Sequence, residues 1–239
     1  TATPRYSRPL TTIGAFEFNA VVADVFQDMI ERSVPGYSLM LEFIGSLAES
    51  FAIEGSNVYD LGCSLGASTL QLRRHVPASC HVIGVDNSSA MLKRCEANMA
   101  RDHSSASYEL RLEDIRATLL ENASMVVLNF TLQFIPDKER LRILKRIASG
   151  MLPGGALLLA EKVRFDNTLE QNLMTDLHHD FKRYQGYSDL EIAQKRASLE
   201  NVLVPNTESE HVKRLASAGF SSQQQCVRCL NFEAFLAIR

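Results

Sequence analysis

The sequence of 239 residues has no tryptophan, no run of 18 consecutive apolar residues and no long tract of lysine and arginine. Without such an apolar run, no segment is predicted to span a membrane, and the first residues lack the basic-then-apolar pattern of an export signal. The net charge of −3 argues against a protein that binds nucleic acid through its phosphates. We therefore expect a cytoplasmic protein whose substrate is a small molecule.

Cysteine is also sparse, with five residues scattered among apolar neighbours: Cys63, Cys80, Cys95, Cys226 and Cys229. An odd number of scattered thiols favours reduced side chains over a disulfide framework. Cys226 and Cys229 have the spacing of half a zinc site or of a redox pair, but there is no second pair with metal-ligand spacing. We predict core thiols and no metal site.

Two short apolar runs that end in polar residues are the most informative feature of the chain. The first, at 57–61, leads into Gly62 and Gly66, where the backbone can turn tightly and lie close to a ligand. The second ends in Asp86, 24 residues after Gly62, which is about the interval that places an acid on the hydroxyls of a ribose. Together they predict a nucleoside pocket, with Asn87 beside the adenine.

The same residues allow other interpretations. Gly62 to Gly66 also matches the G-x-S-x-G elbow of α/β-hydrolases with Ser64 as nucleophile, but no oxyanion loop precedes it and Asp86 follows too closely. An NAD-binding loop needs a glycine where Ser64 stands. An ordinary strand-to-helix turn is the third alternative. A looser loop without tight phosphate contact suits S-adenosylmethionine, a nucleoside that carries no phosphate.

Strand and helix patterns alternate from residue 57 onward, which predicts an α/β fold with a mostly parallel sheet. The predicted strands are 57–61, 81–85, 107–112, 125–129, 156–161, 220–230 and 231–238. The last two form an antiparallel hairpin, typical of the methyltransferase-like Rossmann fold. We expect one domain over residues 1–239, with a loose arm at 1–13 and a helical cap within 1–56, and a helical insertion at 164–206.

Ligands on such sheets bind beyond the carboxyl ends of the strands, so successive strand ends supply the predicted site. The backbone of Gly62, Cys63 and Ser64 would lie near the amino-acid part of the ligand. Asp114 and Ile115 would contact the adenine through a carboxylate and an apolar side chain. Asn129 ends the fourth strand and would face the sulfonium and methionine end.

The segment 162–200 carries many basic side chains: Lys162, Arg164, His178, His179, Lys182, Arg183, Lys195 and Arg196. Most are expected to form a solvated helix face. Arg196 is different, because it falls on one helical face with Ile192 and Leu199, where a guanidinium group needs an anion. That anion is either Glu200, four residues later, or a carboxylate of the substrate or product.

Several of these segments together resemble the carboxy-S-adenosyl-L-methionine synthase family, and the likeness extends over nearly the whole chain. They are residues 58–67 (VYDLGCSLGA), 84–88 (GVDNS) and 128–135 (LNFTLQFI), the N-terminal helices with the Pro-Gly-Tyr at 35–37, and the segment from 194–196 (QKR) to 200–201 (EN). The resemblance implies a cofactor site made of Tyr37, Gly62, Cys63, Ser64, Asp86, Asn87, Asp114, Ile115, Asn129 and Arg196, and a homodimer.

The resemblance also implies the reaction. S-adenosylmethionine and prephenate would give carboxy-S-adenosylmethionine and phenylpyruvate, and a partner enzyme would use the product to carboxymethylate a wobble uridine of tRNA. Arg196 would hold the new carboxylate, and direct tRNA binding is not expected. The alternatives are a conventional S-adenosylmethionine-dependent methyltransferase acting on a small acid or on tRNA, and a sensor that binds the nucleoside without turnover.

Overall fold

The computed structural model describes residues 16–200 and 202–239, so the predicted arm at 1–13 and residue 201 lie outside the described part. Its centre is a sheet of seven strands in the order β3-β2-β1-β4-β5-β7-β6. The strands are β1 Asn57–Leu61, β2 His81–Asp86, β3 Ser107–Leu112, β4 Ala123–Asn129, β5 Met151–Lys162, β6 Ser222–Cys229 and β7 Phe232–Ile238. The first five pair in parallel, whereas β7 pairs antiparallel with both β5 and β6. The predicted fold class is confirmed.

Helices cover both faces of this sheet. They are α1 Ala20–Glu31, α2 Tyr37–Phe51, α3 Ala67–His75, α4 Ser89–Met99, α5 Asp137–Gly150, α6 Thr168–Tyr184, α7 Asp189–Leu199 and α8 Glu208–Ala218, with a 3-10 turn at Leu132–Phe134. A capping box begins α7, because Ser188 Oγ accepts from the N–H of Glu191 while the Glu191 carboxylate accepts from the N–H of Ser188.

Alternation along β1 shows how the two faces are built. Val58 packs on one face with Ile44 of α2 and Leu72 of α3. The next residue, Tyr59, points to the other face and packs with Ile143 of α5. Successive strand residues point to opposite faces, so an apolar run such as 58–61 is buried on both sides. This double burial explains why residues 125–128 in the middle of β4 are all apolar.

The largest error in a predicted strand boundary is at the start of β5. β5 starts at Met151 and not at residue 156, because Met151 pairs with Ala123 before the register shifts and Ala156 pairs with Met125. The Leu-Pro-Gly-Gly segment at 152–155, whose proline and glycines are typical of a turn, is an irregularity inside the strand. Gly154 permits that irregularity by adopting φ +78°, a left-handed conformation that suits glycine.

The insertion helices pack against the turn between α1 and α2. His178 of α6 bonds through Nε2 to the carbonyl oxygen of Ser33 at 2.8 Å, and Lys195 of α7 donates from Nζ to Ser33 Oγ at 2.7 Å. Ser33 Oγ also lies 3.3 Å from the hydroxyl of Tyr187, between the two helices. The cap and the insertion therefore meet above the carboxyl edge of the sheet.

Candidate active site

A cavity of about 700 Å³ lies beyond the carboxyl ends of β1, β2, β4 and β5. Its walls come from the cap, the strand ends and the insertion, with Tyr37, Gly62, Asp86, Asn129 and Lys182 each lining a different part. Nine of the ten residues predicted for the cofactor site line it, all but Arg196: Tyr37, Gly62, Cys63, Ser64, Asp86, Asn87, Asp114, Ile115 and Asn129. These nine residues therefore lie around one cavity.

The loop after β1 has the unusual backbone that its glycines suggested. Gly62 adopts φ +86°, and a Cβ there would lie 2.4 Å from Cγ2 of Thr131. Ser64 adopts φ +51° without being a glycine, and its N–H donates to Asp86 Oδ2 at 2.9 Å. The conformation of the loop is thus determined by the close approach of Thr131 at Gly62 and by the hydrogen bond from Ser64 to the Asp86 carboxylate.

Asp86 is fixed by its own surroundings before any ligand binds. Its Oδ2 accepts from Ser64 N–H, and its Oδ1 accepts from the N–H of Ser88 at 2.8 Å. Burial raises the pKa of this carboxyl group, while the N–H donors of Ser88, Ser64 and Asn87 oppose that rise. Each carboxylate oxygen can accept a second hydrogen bond, so both remain able to receive a ribose hydroxyl.

The residues predicted to contact adenine lie at one end of the cavity. Asp114 pairs with Arg116, whose Nε lies 2.9 Å from Asp114 Oδ2, and this hydrogen bond lowers the pKa of the Asp114 carboxyl group. Ile115 is buried beside it. A charged acceptor next to an apolar side chain is the combination that suits the exocyclic amine and the ring of adenine.

Asn129 carries an unsatisfied acceptor. Its Nδ2 donates to Ser68 Oγ at 3.0 Å, which fixes the amide, whereas its buried Oδ1 has no hydrogen-bond partner among the described residues. Leaving a buried carbonyl oxygen unpaired costs free energy. Since Asn129 lines the cavity, a donor group on a bound molecule would satisfy this oxygen.

Asp60 was missed as a candidate, although the D-L-G of residues 60–62 contains it. Asp60 is buried near the end of β1, just before the loop. Its Oδ2 accepts from Thr69 Oγ1 at 2.6 Å, and its Oδ1 has no hydrogen-bond partner in the described chain. Burial, and to a smaller degree the charge of Asp86, raises the Asp60 pKa to about 7. Burial and Asp60 also raise the pKa of the Tyr37 hydroxyl.

The expectation of a solvated basic helix face is wrong for four side chains of the 162–200 segment. Lys162, His178, Lys182 and Lys195 all line the cavity, and the last three are buried. The outer face of α6 matches the expectation, because exposed Arg183 pairs there with two carboxylates. Helical spacing alone could not show this, since α6 turns a polar face toward the cavity rather than toward solvent.

Arg196 also differs from its expected position. Ile192 is buried, but the Arg196 side chain is exposed, so the guanidinium group does not lie on an apolar face. Among the described residues no ion pair joins it to Glu200, whose N–H instead bonds to the Arg196 carbonyl oxygen. Burial is the main cause that lowers the pKa values of Lys162 and Lys182, and the charge of Arg196 lowers them further, so Arg196 is within electrostatic range of these two lysines without lining the cavity.

The seven-stranded sheet, the glycine loop and the acid at the end of β2 define the class as a methyltransferase-like nucleoside-binding protein. A family model described as a methyltransferase domain matches residues 58–155. An O-methyltransferase family protein from Burkholderia thailandensis has the same fold, with a TM-score of 0.66 and 17% identity, over 99% of this chain and 67% of its own.

Sequence relatives define the group more narrowly. The carboxy-S-adenosyl-L-methionine synthase of Hahella chejuensis is 55% identical over 95% of this chain and 94% of the relative. The synthase of Vibrio campbellii is 49% identical over 98% of this chain and 96% of the relative. The chain belongs to the carboxy-S-adenosyl-L-methionine synthase family, as the motifs predicted.

No helix among the described residues is long and apolar enough to cross a membrane. No group of three or more histidine, cysteine and acidic side chains is arranged to hold a metal ion, again within that part of the chain. The five cysteines are present as free thiols.

Proposed function

We propose that this protein converts S-adenosylmethionine and prephenate into carboxy-S-adenosylmethionine and phenylpyruvate. The proposal rests on hydrogen-bond acceptors along one edge of the sheet: the Asp86 carboxylate, which backbone N–H groups hold in place, and the Asn129 carbonyl oxygen, which has no partner among the described residues. It rests also on 55% identity to a named synthase. The cap, the sheet and the insertion act as one ligand-binding domain, because all three line the same cavity.

The acceptors suggest how the nucleoside lies. Asp86 takes the ribose hydroxyls, with Asn87 beside the adenine and Asp114 and Ile115 around it. The Asn129 carbonyl oxygen takes the ammonium group of the methionine part, which gives that orphaned acceptor a donor. The remaining proposed contacts come from the cap and from the loop after β1: Tyr37, Gly62, Cys63 and Ser64.

The carboxyl transfer balances without a protein base. In prephenate the bond to the ring carboxylate breaks, the ring hydroxyl leaves as hydroxide, and the ring becomes aromatic as phenylpyruvate and carbon dioxide form. The hydroxide takes a proton from the methyl group on the sulfonium, which gives water and an ylide, and the ylide carbon attacks the carbon dioxide. The protein's part is to orient the reactants and exclude bulk water.

We assign the new carboxylate to Arg196, because this exposed guanidinium group lies beside the basic end of the cavity and has no carboxylate partner among the described residues. Closure of residues 196–200 over a bound ligand, or contact from a second subunit, would bring it to the product. Mixing two inactive variants, one of them Arg196→Ala, tests whether Arg196 contacts the product within its own subunit or across two subunits.

The direct test is to incubate the protein with S-adenosylmethionine and prephenate and to determine the mass of the nucleoside product. The proposal predicts carboxy-S-adenosylmethionine and phenylpyruvate in equal amounts. The Arg196→Ala variant should still bind S-adenosylmethionine but lose the carboxylated product. Formation of S-adenosylhomocysteine would favour a conventional methyltransferase, and binding without turnover would favour a sensor.

We place the reaction in the cytoplasm, since free thiols persist in a reducing compartment. The product would pass to a separate tRNA carboxymethyltransferase.

We also propose a homodimer, supported by an apolar stripe on the outer face of α6. The stripe consists of side chains that are exposed in the single chain: Leu169, Leu173, Leu177 and Tyr184. Sedimentation of wild type and of Leu173→Asp should give a dimer and a monomer.

A further inference from the structure

Three lysine side chains from three different elements meet at one end of the cavity. Lys162 ends β5, Lys182 lies on α6 and Lys195 lies on α7, and all three line the cavity. Lys182 and Lys195 are only 8% and 6% exposed. Buried lysines are rare unless an anion accompanies them.

No carboxylate forms an ion pair with any of these lysines within the described chain, although Glu31 also lines the cavity. The charged groups that act on Lys195 are Lys182, Arg32 and Lys162, and those that act on Lys182 are Lys162 and Arg196. Every one of them is a cation. Burial, and then this mutual repulsion, lowers the pKa values of all three amines, to about 8 for Lys182. The free protein therefore bears an electrostatic cost at this end of the cavity.

The three amines differ in how they are held. Lys195 Nζ donates to Ser33 Oγ and lies 5.6 Å from the centre of the Tyr187 ring, so it has polar and aromatic partners. Lys162 and Lys182 have no hydrogen-bond acceptor for Nζ among the described residues; Lys162 lies 6.0 Å from the centre of the Phe232 ring. His178 does not add a charge, because burial lowers its pKa to about 2.

The position of the lysines along the sheet edge indicates which part of the bound reactants they would lie near. The order β2-β1-β4-β5 sets the ribose acceptor Asp86, the glycine loop, Asn129 and Lys162 in sequence along that edge. Lys162 is also tied to the loop after β4, because its N–H donates to Gln133 Oε1 at 2.9 Å. The lysines thus lie beyond Asn129, on the side away from the adenine.

We propose that Lys162 and Lys182 bind the two carboxylates of the carboxyl donor, and that Lys195 fixes the shape of this pocket, so that the site selects a dianion over a monoanion. This inference rests on the proposed function, since it names how that site recognises prephenate. A dicarboxylate would supply the counter-charge that the described chain lacks. The product phenylpyruvate, with one carboxylate, would bind less tightly and leave.

The test separates donor binding from turnover. S-adenosylhomocysteine has no methyl group on sulfur, so prephenate added to the protein loaded with it forms a complex that cannot react, and its affinity can be measured by calorimetry. Lys182→Met keeps the length of the side chain and removes the charge. We expect prephenate to bind at least about 10-fold more weakly, phenylpyruvate to be affected less, and S-adenosylhomocysteine to bind as before.

Two further variants complete the design. Arg183→Gln removes the neighbouring charge on the exposed face of α6 and should leave prephenate affinity unchanged. Lys182→Arg keeps the charge and should restore part of the affinity. Lys182→Met should also raise the melting temperature of the free protein, because it removes a buried, unpaired cation, whereas a residue with a structural role would lower it.

The pH dependence gives an independent measurement. The groups facing Lys182 are Lys162 from β5, Arg196 and Lys195 from α7, and His178 and His179 on α6 itself. With a Lys182 pKa of about 8 in the free protein, prephenate affinity should be highest below that pH and fall as the pH rises through it. In Lys182→Met this fall should be smaller.

Two results would overturn the inference: unchanged prephenate affinity in Lys182→Met, or an equal loss of S-adenosylhomocysteine affinity, which would assign the lysine to the carboxylate of the nucleoside itself. Failure of the proposed function would look different. In that case the wild-type protein would make no carboxy-S-adenosylmethionine, whatever the behaviour of the variant.

Discussion

Individual acidic residues in this site have distinct tasks because their surroundings differ. Asp86 accepts two backbone N–H groups and lines the cavity, so it can stay ionised and still meet a ligand. Asp60 is deeper, has a hydroxyl donor on one oxygen only, and has a pKa of about 7. Asp86 therefore suits ligand binding, while Asp60 ties β1 to α3 through Thr69.

Asp86→Asn should weaken nucleoside binding. The amide keeps the shape of the carboxylate but has one acceptor oxygen in place of two, and its NH2 group would face the N–H of Ser64 or Ser88. A hydrogen bond to a charged group contributes about 1.5–3 kcal/mol, so the dissociation constant for S-adenosylmethionine should rise about 10- to 100-fold. Calorimetry measures this directly.

The matched control is Asp176→Asn on the exposed side of α6, which makes the same chemical change away from the cavity. It should bind S-adenosylmethionine like the wild type. Equal affinities for Asp86→Asn and Asp176→Asn would mean that Asp86 does not contact the ribose.

At this scale the sequence predicted the acceptors but not the cations. Asp86 and Asn129 end their strands and Asp114 follows β3, and the carboxyl ends of parallel strands share an edge, so their meeting was predictable. The lysines of α6 and α7 follow no such rule. The direction of these side chains depends on how the insertion packs on Ser33. His178 and Lys195 contact Ser33 across sequence separations of 145 and 162 residues, and no local sequence pattern contains such contacts.

Among the elements, the loop between β1 and α3 has the most demanding geometry. Gly62 needs both a left-handed φ of +86° and room beside Thr131, whereas Gly154 in β5 needs only the left-handed conformation, with no atom within 4 Å of its would-be Cβ. Substitution at Gly154 therefore measures the cost of the backbone conformation alone, whereas substitution at Gly62 adds the cost of a steric clash.

Gly62→Ala should therefore be more harmful than Gly154→Ala. A left-handed alanine costs about 1–2 kcal/mol at either position. At Gly62 the added methyl group must also displace Thr131 or the loop, which should lower the melting temperature further and weaken S-adenosylmethionine binding. Thermal melts and calorimetry of both variants measure the two effects, and similar losses in both would contradict a close approach at Gly62.

Most element boundaries were predictable because the apolar runs and caps are local. The capping box at Ser188 and the hairpin of β6 and β7 are examples. The start of β5 was not, because pairing with Ala123 extends the strand back through a proline and two glycines that locally predict a turn. Tertiary pairing outweighed the turn signal there.

Over the whole molecule, three parts enclose one cavity and divide the work. The sheet edge supplies the acceptors, the cap supplies Tyr37 and Ser33, and the insertion supplies the lysines. In the proposed binding mode, the strand order sets the order of the reactants, with adenine beyond β2 and the anionic end beyond β5. Carboxyl transfer needs the donor carboxylate beside the sulfonium methyl group, and the proposed positions of the nucleoside and of the donor would bring the two together.

The most direct measurement is to supply prephenate labelled with carbon-13 in its ring carboxylate and follow the label by mass spectrometry. If the two reactants meet in this cavity, the label appears in carboxy-S-adenosylmethionine and not in dissolved bicarbonate, even when excess unlabelled bicarbonate is present. An unlabelled carboxylated product, or S-adenosylhomocysteine as the only nucleoside product, would contradict the account.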